Sequence, residues 1–188
     1  MRRISLALAL VASLVISATA FAASPPGKNR IICGPDPSTA TVNGAQSCNF
    51  DVGVGEFAYA YYSTSTGGYF PNAWDKKLGS ITQLSFRYAG TDPAGALRWS
   101  IQIDANGDGS GAEPNYVFIG ADACNDGTGL VDVINDSTCT IYYGSEVYPN
   151  WGAFVAAYPT ATLNFAFVIA DAPWTGSISS LKIGKPGK

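Results

Sequence analysis

Residues 96–120 read ALRWSIQIDANGDGSGAEPNYVFIG, and the fold is decided there. Leu97, Trp99, Ile101 and Ile103 fall on odd positions and Arg98, Ser100 and Gln102 on even ones. That period of two marks a strand with one apolar face. Asp104 continues the even, outward register. Residues 105–111 then bring glycines at 107, 109 and 111 and an Asn-Gly step, which favour positive φ and end the strand in a turn. Residues 116–119, YVFI, are a continuous apolar run, the pattern expected of a strand buried on both faces.

The alternation recurs on either side of this hairpin. Phe57, Tyr59 and Tyr61 alternate with Ala58 and Ala60, which predicts a large/small strand able to pack under another sheet, and Leu84, Phe86 and Tyr88 alternate with Ser85 and Arg87 in the same way. Further strands are expected at 139–143, 163–170 and 177–183. With turn signals between them, the pattern predicts an all-β fold, an antiparallel β-sandwich of jelly-roll-like kind, in preference to a parallel α/β fold. One short α-helix is expected near 150–158. Trp151, Phe154, Val155 and Tyr158 stand at i, i+3, i+4 and i+7, Asn150 is a suitable N-cap, and Pro159 stops the helix. Trp99 and Trp151 lie in these apolar stripes and are assigned to the core.

The first residues have the pattern of an export signal: Arg2 and Arg3, an apolar run over 4–16, then small residues at Ala18, Ala20 and Ala22. Residues 1–22 are therefore set apart as a signal peptide. Residues 23–188 remain, a length suited to a single sandwich domain with short low-complexity ends. The apolar run is too short to anchor the chain in a bilayer, so the protein is expected to be secreted or extracellular, with the periplasm as an alternative, and not an integral membrane protein. The net charge of −3 becomes more negative once Arg2 and Arg3 are removed, and no basic cluster is left, which argues against nucleic acid as a partner.

Four cysteines in an exported chain imply two disulfides, and proximity favours Cys33 with Cys48 and Cys124 with Cys139. The second pairing meets a conflict. If residues 130–134 were the middle strand of a meander, Cys124 and Cys139 would lie near its opposite ends, beyond the roughly 7 Å that bridged Cα atoms allow. Either residues 125–138 are an excursion pinched at its base, the reading favoured here, or the connectivity differs. A four-cysteine zinc site would need short paired spacings that are absent.

Two constellations carry candidate chemistry. Asp104, Asn106 and Asp108, followed by Gly109, have the spacing of the opening half of an EF-hand calcium loop, in which alternate oxygens converge on a hard cation. The second half departs from that pattern: Asn115 stands where a bidentate Glu is needed, and Glu113 is near but off register. Asp104, Asn106, Asp108 and Glu113 are thus the candidate calcium ligands, and the alternative is a polar turn closed by its own side chains. The other constellation is aromatic. Tyr69, Phe70 and Trp74 lie among turn formers and charges, and Trp174 lies in a similar setting, DAPWTG. Nothing local obliges these four to be buried, so they are candidate ligand-binding residues able to stack on sugar rings; the alternative is that they plug an end of the sandwich.

Catalysis has little support. The chain contains no histidine, which excludes a Ser-His-Asp triad, a Cys-His pair and histidine zinc sites. Carboxylate chemistry of the glycoside-hydrolase kind remains open, but no two acids stand in a spacing that singles them out.

Four segments, SFRYAGTD (85–92), IDANGDG (103–109), WGAFVAAYP (151–159) and FVIADAPWTGSIS (167–179), resemble small secreted bacterial β-sandwich proteins, mostly of unknown function. Those proteins are similar in pattern to carbohydrate-binding jelly rolls. The resemblance implies the fold more than the function. The leading expectation is a secreted, non-catalytic module that binds a glycan or cell-surface polymer and is stabilised by calcium. A structural or cell-envelope interaction protein is the second reading, and a carboxylate glycoside hydrolase the third.

Overall fold

The computed structural model describes residues 30–34, 40–42, 47–63, 76–109, 115–124 and 127–184. These build an all-β antiparallel sandwich with one α-helix. One sheet has seven strands in the order β1 (Arg30–Gly34), β4 (Ala58–Ser63), β11 (Thr162–Ala170), β6 (Leu97–Asp104), β7 (Asn115–Gly120), β9 (Ile141–Tyr143) and β10 (Glu146–Tyr148). The other has five: β2 (Ala40–Val42), β3 (Ser47–Val52), β12 (Trp174–Gly184), β5 (Gln83–Gly90) and β8 (Leu130–Asp132). The proposed signal segment, residues 1–22, lies outside the described residues. No helix among the described residues is long and apolar enough to cross a membrane.

Strand β6 follows its alternation, with Leu97, Trp99, Ile101 and Ile103 fully buried between the sheets. Trp99 packs edge-on against Phe86 of β5, centroids 5.6 Å apart, so the two sheets meet ring against ring. Its indole N–H finds no hydrogen-bond partner among the described residues.

Strand β4 shows which of its faces is covered, and β7 corrects an expectation. In β4 the small residues Ala58 and Ala60 point inward and are fully buried, while Tyr59 and Tyr61 face out and are only half-buried. The interior already holds the large buried rings of Trp99, Phe86, Phe50 and Trp174, and in a close-packed core large side chains are accommodated by small ones such as these alanines. In β7, Val117 and Ile119 are buried, but Tyr116 is half-buried and Phe118 is 36% exposed, so this strand is covered on one face only.

A bulge in β11 has the same consequence. Leu163 pairs with Ile103, yet the next paired residue is Phe165, opposite Gln102. Asn164 is the extra residue. Beyond it Ala166, Val168 and Ala170 turn inward, and Phe165, Phe167 and Ile169 turn out.

The cysteines pair as proximity predicts. Cys33 on β1 and Cys48 on β3 join the two sheets, with Cα atoms 5.8 Å apart, and Cys124 and Cys139 approach to 4.4 Å. The conflict over residues 125–138 resolves in an unexpected way. Residues 130–132 are a strand, but in the opposite sheet, paired to β5, so the excursion crosses the sandwich and returns to be pinched at its base. Each bridge closes a separation of 15 residues. In the chain-entropy account, a loop of that size contributes about 3 kcal/mol. Two bonded pairs are compatible with an oxidising or extracellular environment.

Helix α1 (Trp151–Ala157) is capped as expected: the Asn150 side chain accepts a hydrogen bond from the Ala153 N–H at 2.9 Å. Trp151 and Phe154 are its buried residues.

Candidate functional site

The outward turn of β4, β7 and β11 gathers aromatic side chains on the outer face of the seven-stranded sheet. There they line a groove of about 400 Å³, formed by Phe57, Tyr59, Tyr61, Tyr116, Phe165, Phe167 and Ile169. Register explains the assembly. Ile169 pairs with Tyr59, Phe167 with Ser100, Phe165 with Gln102, and Gln102 in turn with Tyr116. Antiparallel partners project to the same face, so three aromatic strands flank the short polar side chains of β6. Ser100, paired with Phe167, is only 2% exposed beneath its neighbours.

The rings support one another at their edges. Phe167 lies 6.2 Å from Tyr59 and 6.4 Å from Tyr116, both near-perpendicular, and 5.4 Å from Phe165; Tyr61 is 5.9 Å from Phe165. Such contacts fix the ring orientations. Glycine contributes at one position. Gly34 of β1 is the partner of Tyr59, and a Cβ there would come within 2.9 Å of the tyrosine ring, so its absence lets Tyr59 lean over β1 and keeps the groove open.

None of the groove-lining residues is charged, and Tyr59, Tyr61 and Tyr116 supply phenol groups able to donate and accept hydrogen bonds. One charge on the same sheet is matched. Arg98 forks onto both carboxylate oxygens of Asp171 and lies 5.1 Å from the centroid of the Phe118 ring. The groove can therefore offer ring faces and neutral hydrogen-bonding groups. None of its lining residues among those described is a carboxylate.

Sequence reasoning missed this site. A signal was present: aromatics at alternate positions in 57–61 and 165–169, separated chiefly by alanine and valine, offer more ring volume than one core can hold.

The aromatic residues singled out from the sequence lie elsewhere. Tyr69, Phe70 and Trp74 fall outside the described residues. Trp174 is a correction. It is 2% exposed, packs edge-on to Phe50 at 6.0 Å, and donates its indole N–H to the Thr91 carbonyl at 3.0 Å, so it belongs to the core and cannot stack on a ligand.

In the acidic loop Asp104 is 7% exposed, and its two oxygens accept the amides of Gly107 at 2.9 Å and Gly109 at 2.7 Å. Asn106 donates from its side chain to Asp108 at 2.8 Å and accepts the Asp108 amide. These bonds close the turn. Gly107, at φ +70°, passes so close to the Thr160 carbonyl that a Cβ there would lie 2.2 Å from its oxygen. Glu113 falls outside the described residues, and no three cysteine or carboxylate side chains gather as a metal site among those described.

A third cluster stands at the sandwich end. Glu146 accepts hydrogen bonds from the hydroxyls of Tyr148 and Tyr158, the latter at 2.8 Å, which ties the β9–β10 hairpin to the end of α1. These bonds, that from Tyr148 foremost, hold the Glu146 carboxyl below its ordinary range. Tyr148 is pushed up chiefly by its bond to Glu146, and Tyr158 is pushed well up by its contact with Tyr148, by burial and by Glu146. Burial raises Tyr143 beside them. The cluster is a structural clasp, with two tyrosine hydroxyls from different elements converging on one carboxylate oxygen.

No family model, no curated protein and no solved structure matches this chain.

Proposed function

We propose that this protein is a secreted, non-catalytic module that binds a neutral glycan in the aromatic groove of its seven-stranded sheet. One observation carries the reading: a groove of about 400 Å³ lined by rings and phenols, with no charge among its lining residues. Sugar rings present apolar C–H faces and a rim of neutral hydroxyls, and half-exposed aromatic faces beside phenol groups complement both. A preformed, mostly apolar concavity with a few polar groups is the usual form of a small-ligand site. The paired cysteines support the exported setting.

A hydrolase would need two carboxyl groups about 5–10 Å apart across the ligand, and the groove lining offers neither. An anionic polymer would meet no cation among the described lining residues, and Arg98 on the same sheet is engaged by Asp171.

Affinity electrophoresis tests the proposal: migration of the purified protein through gels containing hydroxyethylcellulose, xylan, galactomannan or soluble β-glucan. At least one should retard the wild type, and Tyr59→Ala and Phe167→Ala should restore free migration while circular dichroism stays unchanged. Equal migration of wild type and variants in every gel would remove the glycan reading. Co-purification of a protein partner dependent on the same residues would replace it with an envelope-interaction role.

A further inference from the structure

We infer that the groove is the inner half of a longer track, so that its ligand is an extended neutral polysaccharide chain lying across the strands, not a chain end or a short oligosaccharide. The inference rests on the glycan reading and deepens it.

The observation is a row set by register. Phe167 pairs with Ser100, Ser100 with Phe118, Phe118 with Tyr142, and Tyr142 with Val147. Tyr61 on β4 stands one position beyond the Ala60–Val168 pair and extends the row on the other side. Cross-strand partners share a face, so this single line of side chains runs from β4 to β10. With neighbouring strands about 4.8 Å apart, five strand steps carry it over roughly 24 Å.

The groove accounts for only part of that line. Its lining stops at Tyr116, yet the apolar surface continues: Phe118 is 36%, Tyr142 45% and Val147 59% exposed, among the most exposed large apolar residues of the described chain. Tyr116, which lines the groove, and Phe118, which lies beyond it, link the two parts: their rings are stacked, 6.2 Å apart and inclined by only 14°. Ser100, the small member in the middle, is sunk below its neighbours and raises no wall. Contiguous exposed apolar surface of this kind marks a contact site. The charge pattern fits a neutral polymer along the whole line, because Arg98, over Phe118, is already matched by Asp171.

Chain length is the discriminating variable. The polysaccharide that retards the protein most would be cut to a graded series from disaccharide to dodecasaccharide, and each member titrated calorimetrically against wild type, Phe118→Ala, Tyr142→Ala and Tyr59→Ala. Wild-type affinity should keep rising after the groove is filled. Phe118→Ala and Tyr142→Ala should weaken the longest chains about five- to tenfold, the scale of one lost aromatic contact, and leave the shortest binders unchanged. Tyr59→Ala should weaken all lengths. An affinity plateau at short chains with Tyr142→Ala silent, while Tyr59→Ala still abolishes binding, would overturn the track and leave the groove reading intact. Loss of binding by no variant, or no binding at all, would overturn both. If Tyr142→Ala and Val147→Asp instead convert a dimer to a monomer in sedimentation, the outer row is a contact between copies and the inference fails.

Discussion

Replacing Asp104 by Asn isolates what closes the turn after β6. The carboxylate is 7% exposed and each oxygen holds one backbone amide, that of Gly107 at 2.9 Å and that of Gly109 at 2.7 Å. Asparagine keeps one acceptor oxygen and turns an NH2 toward the second amide, so one charge-assisted bond is lost and a donor is left facing a donor. Hydrogen bonds to charged groups contribute about 1.5–3 kcal/mol, and an unpaired buried donor costs a similar amount, so the expected loss is about 2–3 kcal/mol. For a domain of this size, that corresponds to a fall in Tm of roughly 4–12 °C. Differential scanning calorimetry of both proteins, in calcium and in EDTA, reads it directly. If these hydrogen bonds are what closes the turn, the drop should be the same in both buffers and the wild-type midpoint should not move with calcium. A loss below about 1 kcal/mol would refute the capping role. A wild-type midpoint that rises with calcium and falls with chelator would show that Asp104, Asn106 and Asp108 hold a cation after all.

Three further outcomes follow from the same contacts. Trp174→Phe should destabilise more than Trp99→Phe, because the first strips the Thr91 carbonyl of its indole donor while the second removes a buried N–H that has no partner among the described residues; urea unfolding of the two variants ranks them, and the reverse order would contradict the assignment. Gly34→Ala should weaken polysaccharide retardation severalfold with little change in Tm, since the new Cβ pushes the end of the Tyr59 ring from its place over β1; unchanged retardation would show that the ring orientation is immaterial. Glu146→Gln should bring some tyrosines back toward the ordinary ionisation near pH 10, as followed by tyrosinate absorbance, because the Glu146 bond is the main cause of the upward shift of Tyr148. The signs are opposite for the two partners. The lowered carboxyl stabilises the clasp above the ordinary Glu range and that contribution is lost as pH falls through its depressed value; the raised tyrosines stabilise it below their ordinary range and that contribution is lost as pH rises through their raised values. A Gln variant whose acid and alkaline transitions match the wild type would contradict this.

Legibility from sequence depended on whether a strand's two faces differ in polarity. In β6 they do, with Trp and Ile against Arg, Ser and Gln, and the inward face was evident. In β4, β7 and the second half of β11 both faces are apolar, and alternation alone cannot say which is covered. Volume decides, and volume is a property of the whole sandwich: four large rings from other positions fill the interior and leave alanines to face them. The bulge at Asn164 inverts β11 by a single residue and leaves no mark in composition. Trp174 misled for a related reason. Its local setting is all turn formers, while the carbonyl that satisfies its N–H comes from Thr91, 83 positions away. The disulfides were legible because pairing followed proximity, but the sheet that takes residues 130–132 was not, since that depends on a crossing between layers. The helix was fully written locally, in its period, its Asn150 cap and its stop at Pro159.

The account turns on the groove being a glycan site. The most direct measurement is the heteronuclear NMR spectrum of the protein, recorded while the best-retained polysaccharide's soluble oligosaccharide is added. The largest shifts should fall on Tyr59, Tyr61, Tyr116, Phe165 and Phe167, and Tyr59→Ala should abolish them. Saturating oligosaccharide that leaves those five resonances in place, or moves only residues of the five-stranded sheet, would contradict it.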